Sequence, residues 1–250
     1  MLTFERSPML RLCCCLALAL TVAGPVAAAA AAAELVVVVD TGTSMPAARF
    51  VDGVLVDGWH RDIGQALAQR LGRAAVFVGL PRRRLAEALA EGKADIACTY
   101  MPDWLPGPFD WSTGFAPTVE VLIADRRAPR PRRVQDVAGK RVGTVLGYVN
   151  ELALILGKDF VPEDAPSAEA NLRKMAVGRM QYALTTKAYI EYRMKQGDLP
   201  LALHPPLEIK TLMTQCAVSR KGRVRVDEIN GAIARMARDR AMEHIIDRYR

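Results

Sequence analysis

The sequence predicts an α/β protein whose strands and helices form two lobes. Strands and helices alternate over roughly ninety residues after position 33, which is typical of a parallel sheet with helices on its faces. After an arginine- and proline-rich segment at 126–133 the alternation begins again. Two such units joined by short segments indicate two lobes with a cleft between them.

The composition excludes disordered and low-complexity proteins. The chain has 250 residues, of which 51% are hydrophobic and 24% are charged, so it can bury a core of ordinary size. This length fits one large domain or two small lobes. The formal net charge is +7.

Residues 1–33 have the organisation of a secretory signal peptide. Arg6 and Arg11 give a positive start, and the apolar run at 12–22 has about the 7–15 residues of a signal core. A membrane anchor is the alternative, but the run is shorter than the ~20 residues that span a bilayer. We therefore expect an exported, periplasmic protein that is cleaved near Ala33.

Each element of the first unit follows from a local pattern. The run at 35–39 is apolar and β-branched, which is typical of a buried strand. Ile63, Leu67 and Leu71 recur at helical spacing, and Gly72 ends that helix. The expected elements are strands at 35–39, 75–78, 94–99 and 119–125, a hairpin about Asp52-Gly53, and helices beginning after Gly58 and at Pro81.

The second unit contains the same kinds of element. Ser167 is a favourable N-cap, and Glu169 adds negative charge to the first turn of the helix that Ser167 begins. The expected elements are strands at 141–145, 180–184, 201–204 and 213–218, and helices at 148–156, after Ser167, and at 186–194, 224–237 and 240–249.

The motifs of several enzyme classes are absent. The three histidines, His60, His204 and His244, occur in no nucleophile or metal-binding pattern, and no complete glycine motif for nucleotides is present. Cys98 and Cys216 have no histidine at ligand spacing, so they predict no zinc site. We expect a protein that is not an enzyme and that holds no cofactor and no metal.

Two arginine clusters have different interpretations. The cluster at 126–133 could be a nucleic-acid footprint, but exported proteins rarely meet nucleic acid, so we expect a solvated surface there. The cluster at 82–84 follows a strand and begins a helix, where open α/β sheets bind ligands. One arginine of this second cluster could pair with an anion, and solvent exposure is the alternative.

Aromatic side chains also mark the expected cleft. Trp59 and Trp104 follow turns between strands and loops, and Tyr100 ends the third strand. Aromatic residues at the carboxyl ends of strands often line a binding crevice. Ordinary packing in the core is the alternative for each of them.

Several short motifs occur in order along residues 34–250. They are Gly58-Trp59-x-x-Asp62, Leu89-x-x-Gly92-Lys93-x-Asp95-Ile96, Trp111-Ser112, Val137-x-Gly139-Lys140-x-Val142-Gly143, Gly178-Arg179 and Asp247-x-Tyr249. In this order and spacing they resemble the family 3 periplasmic solute-binding proteins, the receptors of polar amino-acid importers.

The resemblance implies a two-lobe periplasmic-binding-protein type II fold with a central ligand cleft and two hinge crossings. Lobe 1 would comprise residues 34–124 and 212–250, and lobe 2 would comprise residues 125–211. A small solute would bind between the lobes and close them by a hinge motion. The implied function is transport, in which a monomeric solute-binding protein delivers its ligand to the inner-membrane permease of an ABC transporter.

The sequence departs from the family at both positions that hold an amino acid. Family members bind the α-carboxylate with an arginine, but this chain has no arginine between Arg84 and Arg126. They bind the α-amino group with an aspartate, where this chain has Thr186. Each lost charge-assisted contact would cost ~1.5–3 kcal/mol. We therefore expect a ligand other than a standard α-amino acid.

The remaining cleft candidates suggest a small organic anion. The helix start after Gly147 offers free N–H groups to an anion, and Arg82 and Lys187 would add positive charge. A partly aromatic ligand stacked on tryptophan is the alternative. The expected ligand-binding residues are Ser44, Met45, Trp59, Arg82, Tyr100, Trp104, Tyr148, Asn150 and Thr186.

Two other functions remain open. Relatives of the family include cyclohexadienyl dehydratases, so a periplasmic enzyme on the same fold is one alternative. The missing arginine argues against it. An accessory or sensory ligand-binding protein without its own importer is the other alternative.

The resemblance also implies that Cys98 and Cys216 lie close together. The strand that returns from lobe 2 would lie beside the strand that carries Asp95 and Ile96. Opposed residues on adjacent strands lie ~4.5–5.5 Å apart, within reach of a disulfide. A one-residue register slip would turn one thiol to the other face, so a disulfide and two free buried thiols both remain open.

Overall fold

The computed structural model describes residues 33–147 and 151–250, which belong to one compact unit. The expected signal peptide at 1–33 therefore falls outside the described residues except for Ala33. No helix within the two described ranges is long and apolar enough to cross a membrane.

The first half of the chain folds largely as its patterns predict. Its elements are β1 (Glu34–Asp40), β2 (Arg49–Val51), β3 (Val54–Asp57), α1 (Trp59–Arg70), β4 (Ala74–Leu80), α2 (Leu85–Ala90), β5 (Ile96–Tyr100), β6 (Phe109–Trp111) and β7 (Ala116–Ala124). Asp52-Gly53 forms the turn between β2 and β3. Gly58 precedes α1 with a φ of 109°, and a Cβ there would lie 2.4 Å from the carbonyl oxygen of Ala47. Only glycine fits this position.

The second half contains the expected helices and two longer or additional strands. Its elements are β8 (Arg141–Val145), α3 (Glu151–Leu156), β9 (Val161–Ala165), α4 (Ala168–Ala176), β10 (Tyr182–Thr186), α5 (Lys187–Gln196), β11 (Leu207–Ser219), α6 (Val226–Arg238) and α7 (Ala241–Tyr249). The Ser167 hydroxyl caps α4 by accepting a hydrogen bond from the N–H of Ala170 at 3.2 Å.

Some strands differ from the sequence prediction. The patterns do not predict β6 or β9, and β11 begins at Leu207 instead of near residue 213. The strand expected at 201–204 is reduced to a single bridge between Asp125 and Leu203. β9 is polar and contains Pro162, which a strand at the edge of a sheet tolerates because its outer N–H groups need no partner.

Nine of the described strands form one sheet in the order β4-β1-β5-β11-β7-β10-β8-β9, with β6 beside β11. β1 is parallel to β4 and β5, and β8 is parallel to β9 and β10. β11 is antiparallel both to β5 and to β7. It therefore joins a first sheet half (β1, β4, β5 and β6) to a second sheet half (β7, β8, β9 and β10).

The pairing indicates where the chain passes between the sheet halves. β7 pairs with β10, so this strand belongs to the second sheet half. The expected first part of lobe 1, residues 34–124, includes β7, whereas the pairing favours a crossing before Ala116. On the return, β11 changes partner from β7 to β5 between Thr214 and Gln215. The lobe boundaries therefore stay a prediction, with an earlier first crossing favoured.

Helices cover both faces of each sheet half. Buried residues of α1, α6 and α7 pack on one face of the first half, and those of α2 pack on the other. α3 packs on one face of the second half, and α4 and α5 pack on the opposite face. This layering is the one that alternating strands and helices predict.

A disulfide joins Cys98 of β5 to Cys216 of β11. The two residues are register partners on these antiparallel strands, and their Cα atoms are 3.9 Å apart. The bond links positions 118 residues apart in the sequence. It ties β11 to the first sheet half.

Candidate functional site

The loops that follow β1, β4 and β5 lie at one edge of the first sheet half, because the three strands are parallel. The N–H of Thr41 donates to the carbonyl of Leu80 at 3.0 Å and so joins the loop after β1 to the end of β4. Open α/β sheets bind ligands at this edge. These loops form the first side of the candidate site.

Three of the predicted residues meet at this edge of the sheet. They are Arg82, Tyr100 and Trp104, and they form the Arg82 cluster. Arg82 begins a short 3₁₀ turn directly after Pro81. Its guanidinium lies 5.2 Å from the centroid of the Tyr100 ring, and its Nη2 donates to the carbonyl of Trp104 at 2.9 Å. The aromatic ring and the carbonyl hold this guanidinium in position, and guanidinium groups bind anions through charge-assisted hydrogen bonds.

A bulge in β5 brings Tyr100 to Arg82. Cys98 faces the core beneath α1, and Ala97 faces the core beneath α2, as strand alternation requires. Thr99 has a φ of 65° where the register shifts against β11. Tyr100 consequently packs with Ala97 instead of with Cys98. Bulges of this kind re-aim a side chain and are frequent beside binding sites.

The Arg82 cluster meets the second sheet half at Gly147. Gly147 follows β8 with a φ of 81°, a conformation that favours glycine. A Cβ at this position would lie 3.8 Å from both Cδ and Nε of Arg82. Arg82 therefore reaches the loop that leads into α3, and the cluster lies between the two sheet halves.

Ser44 and Met45 line a separate pocket of ≈ 370 Å³ between the sheet halves. Its other lining residues lie on α5 or just after it: Tyr189, Tyr192, Arg193, Gln196 and Asp198. Met45 and Tyr192 also pack against the core beneath α1. The loop after β1 thus contacts α5, but this pocket shares no lining residue with the Arg82 cluster.

Trp59 packs against the C-terminal helix and does not belong to the Arg82 cluster. Its ring meets the ring of Tyr249 edge-on, with centroids 6.4 Å apart and an interplanar angle of 88°. Trp59 also packs against the core beneath α1. These contacts fit the packing alternative for Trp59, and its place in the cleft stays a prediction.

Thr186 ends β10 and caps α5, since its hydroxyl accepts a hydrogen bond from the N–H of Tyr189 at 3.3 Å. The next residue, Lys187, forms an ion pair with Glu208 at 2.7 Å. The hydrogen bond that Lys187 donates to the carboxylate of Glu208 raises the pKa of Lys187. The charge of Lys187 is therefore balanced within the protein, contrary to its expected role as an added cation in the cleft.

Glu120 is absent from the residues that the sequence patterns predict for the site. It lies on β7 between Thr186 of β10 and Lys210 of β11, and burial raises the pKa of its carboxyl group. Its Oε2 accepts a long hydrogen bond of 3.5 Å from the N–H of Glu151, at the start of α3. The helix start expected to hold a ligand anion is thus beside a carboxylate of the protein itself. The lone charge in the apolar run at 119–123 is the signal that identifies it.

Two predicted residues, Tyr148 and Asn150, lie outside the described residues, so their roles stay predictions. The described part of the helix expected at 148–156 is Glu151–Leu156. Within residues 33–147 and 151–250 no group of three His, Cys, Asp or Glu side chains is arranged to hold a metal ion.

The raised pKa of Glu120 predicts a pH-dependent effect of Glu120→Gln. A carboxyl group with a raised folded-state pKa contributes stability while it is protonated, and that contribution is lost as the pH rises through the raised pKa. Glutamine does not ionise, so the variant should have a higher Tm than wild type at neutral pH. The difference should vanish below about pH 4, near the ordinary pKa of glutamate.

Thermal unfolding followed by circular dichroism across this pH range measures the effect. Glu87→Gln, at an exposed glutamate, is the matched control and should keep a constant offset from wild type. If the Tm of the two variants depends on pH in the same way, the raised pKa of Glu120 is contradicted.

No family model matches this chain, and no curated protein matches it in sequence. Solved structures do match the fold over most of the chain, although the sequence identities are low.

Three solved structures illustrate the similarity. An amino acid ABC transporter substrate-binding protein from Streptococcus pneumoniae, bound to L-arginine, is 18% identical, with 86% of this chain and 94% of that chain covered and a TM-score of 0.69. An ancestral amino-acid-binding protein described as a precursor of cyclohexadienyl dehydratase is 17% identical, with 86% and 94% covered and a TM-score of 0.71. A histidine kinase sensor domain with similarity to periplasmic binding proteins is 18% identical, with 88% and 96% covered and a TM-score of 0.71.

These similarities show the fold. The chain has the two-lobe α/β architecture of the periplasmic solute-binding proteins, with a cleft between the lobes. The fold class predicted from the sequence is thereby confirmed. Identities of this size establish the fold alone.

Proposed function

We propose that this protein is an exported solute-binding protein that captures a small organic anion between its two lobes. The observation that carries the proposal is the position of Arg82, which contacts Tyr100 and Trp104 on one sheet half and approaches Gly147 on the other. A ligand held at Arg82 would touch both halves. Its binding would therefore favour the closed arrangement of the hinge.

The distribution of charge supports an organic anion over an amino acid. Arg82 can pair with a carboxylate through two parallel hydrogen bonds. An amino acid also needs an anion for its ammonium group, and Thr186 provides only a hydroxyl where family members have aspartate. Burial raises the pKa of the neighbouring Glu120, which disfavours its anionic form. The stretch that matches the family's own arginine position contains no arginine, since none lies between Arg84 and Arg126.

The proposed partner is the inner-membrane permease of an ABC importer. Residues 1–33 have the pattern of a signal peptide, so we infer export to the periplasm and cleavage near Ala33. The similar protein from S. pneumoniae is an ABC transporter substrate-binding protein, which supports the same role here. The proposed receptor acts as a monomer.

A thermal-shift screen of the purified protein tests the ligand class. Its panels are aliphatic carboxylates, aromatic carboxylates and four amino acids: glutamine, histidine, arginine and glutamate. A ligand at 100 times its Kd adds ~2.7 kcal/mol to the free energy of unfolding. We expect a carboxylate to raise the Tm and the amino acids to leave it unchanged. Sub-micromolar binding of any of the four amino acids in calorimetry would contradict the proposed ligand class.

Glu120 favours one other function, catalysis of the cyclohexadienyl dehydratase type. Such an enzyme needs a carboxylic acid in its cleft, and the raised pKa of Glu120 makes the protonated form more accessible. One similar structure is an ancestral precursor of that enzyme. Turnover of prephenate or arogenate that Glu120→Gln abolishes would favour catalysis, whereas tight carboxylate binding without turnover would favour the receptor.

A sensory role is the remaining alternative, because one similar structure is a histidine kinase sensor domain. In that case the ligand would bind in the same cleft but the partner would be a signalling protein. Permease and ATPase genes beside the gene for this chain would favour transport.

A further inference from the structure

One segment outside the cleft carries much of the positive charge of the chain. Residues 125–141 contain seven arginine and lysine residues and two aspartates, a net charge of +5 in a chain whose total is +7. All seven basic residues are exposed. Asp125 pairs with Arg127 and Asp136 pairs with Arg133, so the two acidic groups are neutralised locally.

The backbone of this segment has fixed anchors. The N–H of Arg126 donates to the carbonyl of Ala202 at 2.9 Å. The hydroxyl of Tyr182 donates to the carbonyl of Pro129 at 3.2 Å. Because the backbone is held, its cations are already arranged and lose less conformational freedom when they bind an anionic surface.

Three of the arginines have side chains without a partner among the described residues. The side chains of Arg126, Arg130 and Arg132 make no hydrogen bond or ion pair within the part of the chain that the structure describes. The backbone N–H of Arg132 is bound by Asp136, which leaves the guanidinium in solvent. These three charges are available to an external anion.

The neighbouring helix α3 has an apolar outer face. Leu152 and Leu156 are buried in the core, whereas Leu154 is 75% exposed and Ile155 is 44% exposed. A helix on the surface of a soluble protein normally presents polar residues to solvent. The apolar outer face of α3 therefore indicates a binding partner that presents apolar groups.

The basic segment and α3 are adjacent. Val137 of the basic segment packs in the same core cluster as Leu152 and Leu156 of α3. The N–H of Gly139 donates at 2.8 Å to the carbonyl of Asp159, just after α3. Counting residues 157–163 as well, which add one lysine and two acidic residues, the net charge is still +4. One surface thus combines positive charge with exposed leucine and isoleucine.

We propose that this surface, formed by residues 125–141 and the outer face of α3, binds the anionic headgroups of a phospholipid membrane. The arginines contact lipid phosphates, and Leu154 and Ile155 enter the interface. The binding of a peripheral protein to a membrane strengthens with the apolar area that it buries and with its electrostatic attraction to anionic lipids. Nucleic acid would also attract the arginines, but it gives no role to the exposed apolar pair. The surface shares no residue with the Arg82 cluster.

Co-sedimentation with vesicles tests the proposal. The purified full chain is mixed with vesicles of phosphatidylcholine and phosphatidylglycerol in equal parts, and with vesicles of phosphatidylcholine alone. We expect tighter binding to the anionic vesicles than to phosphatidylcholine alone, and weaker binding to the anionic vesicles as salt is added. The triple variant Arg126→Ser, Arg130→Ser, Arg132→Ser should bind about 100-fold more weakly, because each basic residue near an anionic surface contributes about five-fold.

A second triple variant, Arg84→Ser, Lys221→Ser, Arg238→Ser, is the matched control. It removes the same charge from exposed positions outside the proposed surface and should bind like wild type. Every variant keeps the same N-terminal segment at 1–33. This segment therefore cannot cause a difference in binding between the variants. Leu154→Ser with Ile155→Ser should weaken vesicle binding at constant charge, whereas Val177→Ser, at an exposed valine elsewhere, should not.

Absence of binding to the anionic vesicles would overturn the proposal, as would an equal loss in the two triple variants. Tighter binding to double-stranded DNA than to the vesicles, unchanged by the Leu154 and Ile155 substitutions, would assign the surface to nucleic acid and would overturn it too. These outcomes are independent of the ligand in the cleft.

Discussion

Removal of the disulfide between Cys98 and Cys216 should lower the free energy of unfolding by about 4 kcal/mol. The bond closes a segment of 118 residues, and the stabilisation grows with the length of the closed loop because the crosslink restricts the unfolded chain. Both cysteines are buried, at 4% and 0% exposure, between the strands that carry the core of the first sheet half. Urea unfolding of Cys98→Ala with Cys216→Ala, followed by circular dichroism, measures the loss.

Reduction of the wild-type protein is the control for this prediction. A reducing agent should bring the stability of wild type close to that of the double variant and should leave the variant unchanged. Equal stability of oxidised and reduced wild type would show that the bond does not form or does not stabilise the fold.

A second large loss is expected for Asp95→Ala. Asp95 is 1% exposed, and its carboxylate accepts hydrogen bonds from the N–H of Val36 at 2.7 Å and from the N–H of Arg223 at 2.6 Å. It therefore joins β1 and the turn after β11 to the start of β5. Alanine would leave both donors without their acceptor, so we expect the free energy of unfolding to fall by about 3–5 kcal/mol.

Two further substitutions make the Asp95 prediction specific. Asp103→Ala, at an exposed aspartate, should change stability by no more than about 0.5 kcal/mol. Asp95→Asn keeps one carbonyl oxygen and should lose less than Asp95→Ala. A loss below about 1 kcal/mol for Asp95→Ala, in the same urea titration, would contradict the assigned role.

The motifs visible in the sequence mark structural contacts, which is why they identify the fold better than the ligand. The carboxylate of Asp62 accepts a hydrogen bond from the hydroxyl of Tyr249 at 2.8 Å, so the motif that begins α1 is bonded to the motif that ends α7. The hydroxyl of Ser112 accepts from the N–H of Cys216 at 2.9 Å. Together with Asp95, these residues join segments distant in sequence.

The parts of the site that sequence patterns miss depend on long-range pairing. Regular alternation along β5 would place Tyr100 on the same face as Cys98. The bulge at Thr99, which the register against β11 determines, turns Tyr100 towards Arg82 instead. Glu120 lies in a run that is otherwise apolar, and its burial depends on strands far along the chain. The polar edge strand β9 has no pattern of its own, because its pairing with β8 determines it.

The contribution of Arg82 to ligand binding decides whether the protein captures its ligand at this cluster. Calorimetric titration with the carboxylate that gives the largest thermal shift should compare Arg82→Gln with Arg83→Gln. Arg83 is the adjacent, exposed arginine and serves as the matched control. We expect Arg82→Gln to bind about 10- to 100-fold more weakly than wild type, because it loses one charge-assisted contact, and Arg83→Gln to bind like wild type. Wild-type affinity in Arg82→Gln, in a variant whose Tm without ligand shows an intact fold, would contradict ligand capture at this cluster.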